Sequence, residues 1–270
     1  MVTRTIHIEI VTSLSTPDFI AGLKRFIARR RLPSDIYSDC GRNFIGAQKE
    51  ISKLWKSDKF NSEVCNFLAD KSISWHFNPP GTPHFGGIWE AGIKSVKHHL
   101  LRTLGTAVLT LEDMTTVTTQ IEACLNSRPL TQLSSDPNDL APLTPGHFLT
   151  GNALSALPEP DVTTEPMTHL SRWKLLQRAV QQFWKRSSFE YLSKLQQRPK
   201  WYSTRPNLQI GDLVVLKDER FPPMRWKLAR IVEDHPGPDG LTRVYTIKTT
   251  DGTLKRSITK LCPLPIDSTY

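Results

Sequence analysis

The sequence predicts an α/β fold over its first half, a long basic helix after it, and a small all-β barrel at the end. Three observations predict this. Thr5–Val11, the segment from Thr16 and Asp35–Ser38 read as strand, helix and strand, the pattern of a parallel pairing. Residues 170–197 carry one long helical stripe. From Gln209 onward, short apolar runs alternate with Gly/Pro turns.

In Thr5–Val11, Ile6, Ile8 and Ile10 alternate with polar neighbours, which predicts a half-buried strand. Thr16-Pro17-Asp18 reads as a helix start: a capping hydroxyl, Pro at the first position and an acid in the first turn. Phe19, Ile20, Leu23, Phe26 and Ile27 form that helix's apolar face. The strand Asp35–Ser38 then runs into Asp39, and ligands of such sheets bind outside the carboxyl ends of strands. Helical spacing follows over Phe44–Trp55 and Asn61–Ala69, and strand alternation over Ile73–Phe77. The loop Asn78–Gly87 is rich in Pro and Gly. Helix periodicity resumes at Ile88, with Lys94 and Lys97 on the side of Glu90.

A further helix opens at Thr110-Leu111-Glu112-Asp113 and stops at Asn126-Ser127-Arg128-Pro129. Thr131–Thr168 reads as an extended connection. The helix Leu170–Gln197 shows Trp173, Leu176, Val180, Phe183 and Trp184 as its stripe. It carries Arg172, Lys174, Arg178, Lys185, Arg186, Lys194 and Arg198 against Glu190. Four strands are expected in the tail: Gln209–Leu216 with its leading turn, Trp226–Glu233, Thr242–Lys248 and Thr253–Ile258. Asp251-Gly252 marks the last hairpin turn. The expected organisation is 1–130, 131–168, 169–198 and 199–265.

The formal net charge of +9 favours polyanionic partners. Cys40, Cys65, Cys124 and Cys262 are far apart and lack ligand spacing, which argues against structural zinc and suits reduced thiols. No leader-like or membrane-length apolar run is present. The candidate chemistry lies with Asp39, at a strand end, and Glu90, in the first turn of a helix. Acidic oxygen ligands are what a two-metal phosphodiester displacement needs.

Tyr37-Ser38-Asp39-Cys40-Gly41-Arg42-Asn43-Phe44 resembles the D-x-G-x-x-F segment of retroviral-type integrases. Pro83-His84-Phe85-Gly86-Gly87-Ile88-Trp89-Glu90-Ala91 resembles their segment with the last catalytic acid, in the form seen in Bel/Pao retrotransposon integrases. Trp201–Pro263 resembles their C-terminal domain. The resemblance implies a ribonuclease-H-like core, an SH3-like barrel and DNA strand transfer at a DDE site. Asp39 matches the second acid and Glu90 the third, 51 positions on, with the extra length in the Lys49–Asn66 region. The first acid and the first core strands match nothing in this chain, so little or no strand transfer is expected of it alone.

The same resemblance implies Mg²⁺ or Mn²⁺ as cofactor, double-stranded DNA (element ends and target) as partner, a homo-oligomer, no membrane partner and a nuclear location. Lys94 and Lys97 become DNA contacts, and Asn43 either orients the Asp39 turn or touches DNA. In the tail, Lys227, Arg230, Lys255 and Arg256 are the main expected phosphate contacts, with Lys217, Arg220, Arg225 and Lys260 beside them. His84 reads as a loop packing residue and His98-His99 as a solvated pair. The competing expectation is a co-opted DNA- or chromatin-binding module without chemistry.

Overall fold

The computed structural model describes residues 3–55, 73–79, 87–104, 108–165, 171–196, 208–218 and 220–265. The chain divides into two compact units, His7–His98 and Met1–Ile6 with His99–Tyr270. No described helix is long and apolar enough to cross a membrane.

In the first unit, α1 spans Thr16–Arg30. Its cap is Ser15, whose hydroxyl accepts from the Asp18 N–H; Thr16, the residue expected to cap, instead points its hydroxyl at the Asn43 carbonyl. β1 (Asp35–Ser38) leads into α2 (Arg42–Trp55), and β2 is Ser74–Phe77. β1 and β2 pair in parallel, Ile36 opposite Trp75. Phe19 of α1 holds this layer together, edge-on to Phe44 at 4.9 Å and tilted on Trp75 at 5.9 Å.

The expected strand at Thr5–Val11 does not form, so the parallel partner of β1 is β2 and not this segment. Side chains meet the segment instead. Arg25 donates to the Ile10 carbonyl at 2.9 Å, and Glu9 is clamped by Arg25 and Arg29. The expected helix Asn61–Ala69 lies outside the described residues, as does most of the loop before Gly87. α3 follows at Gly87–Leu104.

In the second unit, α4 (Leu111–Asn126) opens with a reciprocal capping box between Thr110 and Asp113. Its Val117, Ile121 and Cys124 are buried, and it packs on α6 (Arg172–Leu195), which buries Leu176, Val180, Phe183 and Trp184. Trp173 was expected in that stripe but stands exposed. Between the helices the chain is less featureless than expected. β3 (Thr131–Gln132) and β4 (Pro142–Leu143) pair antiparallel, and α5 is a short turn at His147–Thr150.

The tail forms a five-stranded antiparallel sheet of β5 (Leu213–Leu216), β6 (Leu228–Pro236), β7 (Thr242–Thr249), β8 (Gly252–Ser257) and β9 (Leu261–Pro263), ordered β8-β7-β6-β5-β9. β9 was not expected. β5 is apolar at every position because both its faces are covered. Val214 and Leu216 join the core with Ile231, Tyr245 and Ile247, whereas Val215 faces Leu192 of α6 and Cys262.

Candidate metal and nucleic-acid site

The β1–β2 ladder ends one step past β2, where the Asn78 N–H donates to the Ser38 carbonyl at 2.9 Å. Ser38 is buried, and its hydroxyl accepts from Trp75 Nε1 at 2.9 Å. Asp39 is therefore the first residue to leave the sheet, at its carboxyl end, and it is exposed. The Gly41 N–H donates to Asp39 Oδ1 at 2.8 Å, closing an Asx turn. A β-carbon at Gly41 would stand 2.8 Å from Asn43 Oδ1 and 3.0 Å from Asp39 Oδ1, so a larger residue there would push on the ends of both side chains. The Gly41 carbonyl then accepts from Phe44 and Ile45, both at 3.0 Å, and starts α2. Asn43 sits half-buried against this turn.

Asp39 opens on a cleft of about 670 Å³ walled by Phe19, Ile36, Tyr37 and Trp75 on one side and by Ile93, Lys97 and His98 of α3 on the other. Lys97 is exposed there. Glu90 and Lys94 fall on α3, three positions before Ile93 and three before Lys97. Among the described residues, no three His, Cys, Asp or Glu side chains converge. His84 lies outside the described residues. His99 is not solvated as expected: it is buried, 2.7 Å from Glu190 Oε2 and edge-on to Phe183.

The cations expected in the tail divide. Lys255 and Arg256 are exposed on β8, an outer strand of the sheet. Lys227 is mostly covered, with Nζ 2.8 Å from Asp251 Oδ2. Arg230 is buried at 8% exposure and donates to the carbonyls of Gly211 at 2.8 Å, Asp139 at 2.8 Å and Asp136 at 3.3 Å. Its guanidinium clamps the loop before β4 to the sheet and is not presented to phosphate. Sequence reasoning had no signal for this, because the three carbonyls come from distant turns.

Residues 171–264 match DUF5641, a family of unknown function. The match begins at the Ser171 cap of α6 and ends just past β9, so it covers the helix and the five-stranded sheet as one piece. No curated protein matches. Among solved structures, the chain is similar to a chain of the simian T-cell lymphotropic virus intasome in complex with PP2A regulatory subunit B56 gamma, at 13% identity and a TM-score of 0.33. That alignment covers 94% of this chain and 66% of the other, so the chain spans a little under two thirds of that neighbour's length. Overlap at that level assigns neither fold nor activity.

Proposed function

We propose that the chain is an integrase-type segment that engages double-stranded DNA, with Asp39 and Glu90 as the carboxylate ligands of a divalent metal. One observation carries the reading: Asp39, at the carboxyl end of β1, opens on the cleft that Ile93 and Lys97 line, and Glu90 falls in the same helix, three positions before Ile93. The ribonuclease-H-like core, the SH3-like barrel, the Bel/Pao affiliation, the nuclear location and a homo-oligomeric state belong to the same proposal. It draws support from the parallel β1–β2 pair and from the antiparallel sheet at the chain's end.

The donor set suits Mg²⁺ or Mn²⁺, which take oxygen ligands. Asp39 offers an exposed carboxylate whose orientation is fixed by the Gly41 N–H. A divalent ion bound there would supply activation of an attacking hydroxyl and stabilisation of the leaving oxygen. The chain's own part is to hold charge and position: Asp39 and Glu90 would hold the metal, and Lys97 on the cleft wall would meet a phosphate. Lys255 and Arg256 add backbone contacts to DNA. Two carboxylates are one fewer than the resembled family uses, so strand transfer by this chain alone is expected to be at background.

Mn²⁺ titration followed by electron paramagnetic resonance tests the site. Asp39→Asn and Glu90→Gln should each weaken binding by about tenfold or more, the low end of the cost of disturbing a metal site. Equal binding in both variants and the parent sinks the assignment. A metal-dependent DNA-joining activity that Glu90→Gln abolishes overturns the expected inactivity. The second reading, a DNA- or chromatin-binding module without chemistry, is favoured by the same count of two carboxylates. It predicts duplex binding that ignores both substitutions and needs no metal.

A further inference from the structure

The basic residues of α6 are engaged in a way that the proposed site does not use. Lys174, Arg178, Gln181 and Lys185 recur at spacings of four, three and four, which aligns them along one face of the helix. At 1.5 Å per residue the line is about 16 Å long. Across it runs Pro158–Glu165. Lys185 Nζ lies 3.1 Å from Asp161 Oδ2 and 2.6 Å from Thr163 Oγ1. Lys174 Nζ lies 3.1 Å from Glu165 Oε2, and Arg178 donates to the Glu165 carbonyl. Gln181 grips the backbone itself: its Nε2 donates to the Pro160 carbonyl at 2.8 Å, and its Oε1 accepts from the Val162 N–H at 3.0 Å. The Val162 side chain is fully buried.

Every donor on this line therefore meets a carboxylate, hydroxyl or carbonyl oxygen of the crossing segment. That segment carries Glu159, Asp161 and Glu165, with no Lys, Arg or His from Asn152 to Glu165. Hydrogen bonds from Thr163 and Lys185 hold Asp161 down at about 2, so it stays ionised at any ordinary pH. Three cations and an amide spaced along one helix face are the chemistry that grips a phosphodiester backbone. The segment lies just before residues 171–264, which match the family of unknown function, and covers their first helix.

We propose that Pro158–Glu165 is a built-in polyanion mimic, covering a nucleic-acid-backbone surface on α6, and that duplex DNA competes with it for Lys174, Arg178 and Lys185. The proposal rests on the DNA-binding reading above. Uncovering needs a local release, of the order of breaking the Gln181 bonds and exposing Val162, and leaves the helix intact. DNA and the segment then exclude one another from one face.

The test uses the full chain and a fluorescently labelled 20-base-pair duplex of random sequence. Asp161→Asn with Glu165→Gln weakens the cover while keeping Val162. This double variant should bind the duplex about fivefold tighter or more, the low end of ordinary coupling between sites. Its plot of log affinity against log salt should steepen by about two to three, since each newly engaged cation adds about 0.9. Adding Lys174→Glu and Lys185→Glu should cancel both gains. In the parent chain, saturating duplex should speed hydrogen exchange at the Val162 amide. Lys255→Glu with Arg256→Glu is the control on the sheet. If that control weakens binding but the cover variant changes neither affinity nor slope, the cover proposal is wrong and the DNA reading stands. If neither parent nor cover variant binds duplex, both fall.

Discussion

Asn126, fully buried at the end of α4, accepts from the Ile6 N–H through Oδ1 at 2.9 Å and donates through Nδ2 to the Ile6 carbonyl at 2.7 Å. One amide side chain thus replaces a neighbouring strand for one residue. Its own carbonyl also accepts from the Gly146 N–H at 2.8 Å. Asn126→Ala removes the partners of both Ile6 groups, at a cost of about 2–3 kcal/mol. Thermal denaturation should show the midpoint falling by about 5–10 °C; an unchanged midpoint would mean that water replaces the amide. At this scale the turn at Asp39 was readable, because Asp-x-Gly before a helix has a local cause: an Asx turn closed by the Gly41 N–H. It was unreadable for Arg230. A lone Arg on a strand looks like a surface cation until carbonyls 91 and 94 positions away close around it.

Among the elements, α1 ends in a strained conformation. Arg31, its C-terminal cap, has φ 79° and ψ 164°, and its N–H donates to the Ile27 carbonyl at 2.9 Å. Side chains other than glycine's cost about 1–3 kcal/mol in that region. Arg31→Gly should therefore stabilise the chain by about 1 kcal/mol after glycine's greater freedom in the unfolded state is deducted. Urea titration measures this, and a loss of stability would show that the Arg31 side chain matters more than its backbone. The helices were legible because capping and periodicity are local: Thr110 with Asp113 marks the start of α4, and Asn126-Ser127-Arg128-Pro129 marks its end. Thr5–Val11 misled because its alternation is genuine while pairing depends on a partner elsewhere. β9 escaped notice because three residues ending in Pro263 are too few to show alternation.

For the whole molecule, the matched family segment does not coincide with a self-sufficient core. α6 faces the sheet through Leu192 and packs on α4, with Leu176, Val180 and Phe183 buried. A fragment of residues 171–264 lacks α4 and should bind a hydrophobic dye and melt without cooperativity. Residues 99–265, which add α4, should melt more cooperatively than that fragment, at a midpoint lowered by the loss of Ile6 from Asn126. Calorimetry of the two fragments decides this, and a sharp transition in the shorter one would sink the argument. The hold of Gln181 on residues 160 and 162 was not legible, since it joins side chain to backbone. The Arg230 clamp has a mechanical consequence. A loose 45-residue tether between α4 and α6 would have a root-mean-square reach of about 37 Å. Pinned at residues 136 and 139 by Arg230, and at 160 and 162 by Gln181, the tether has no such slack, and pulling on it strains the sheet before it lengthens.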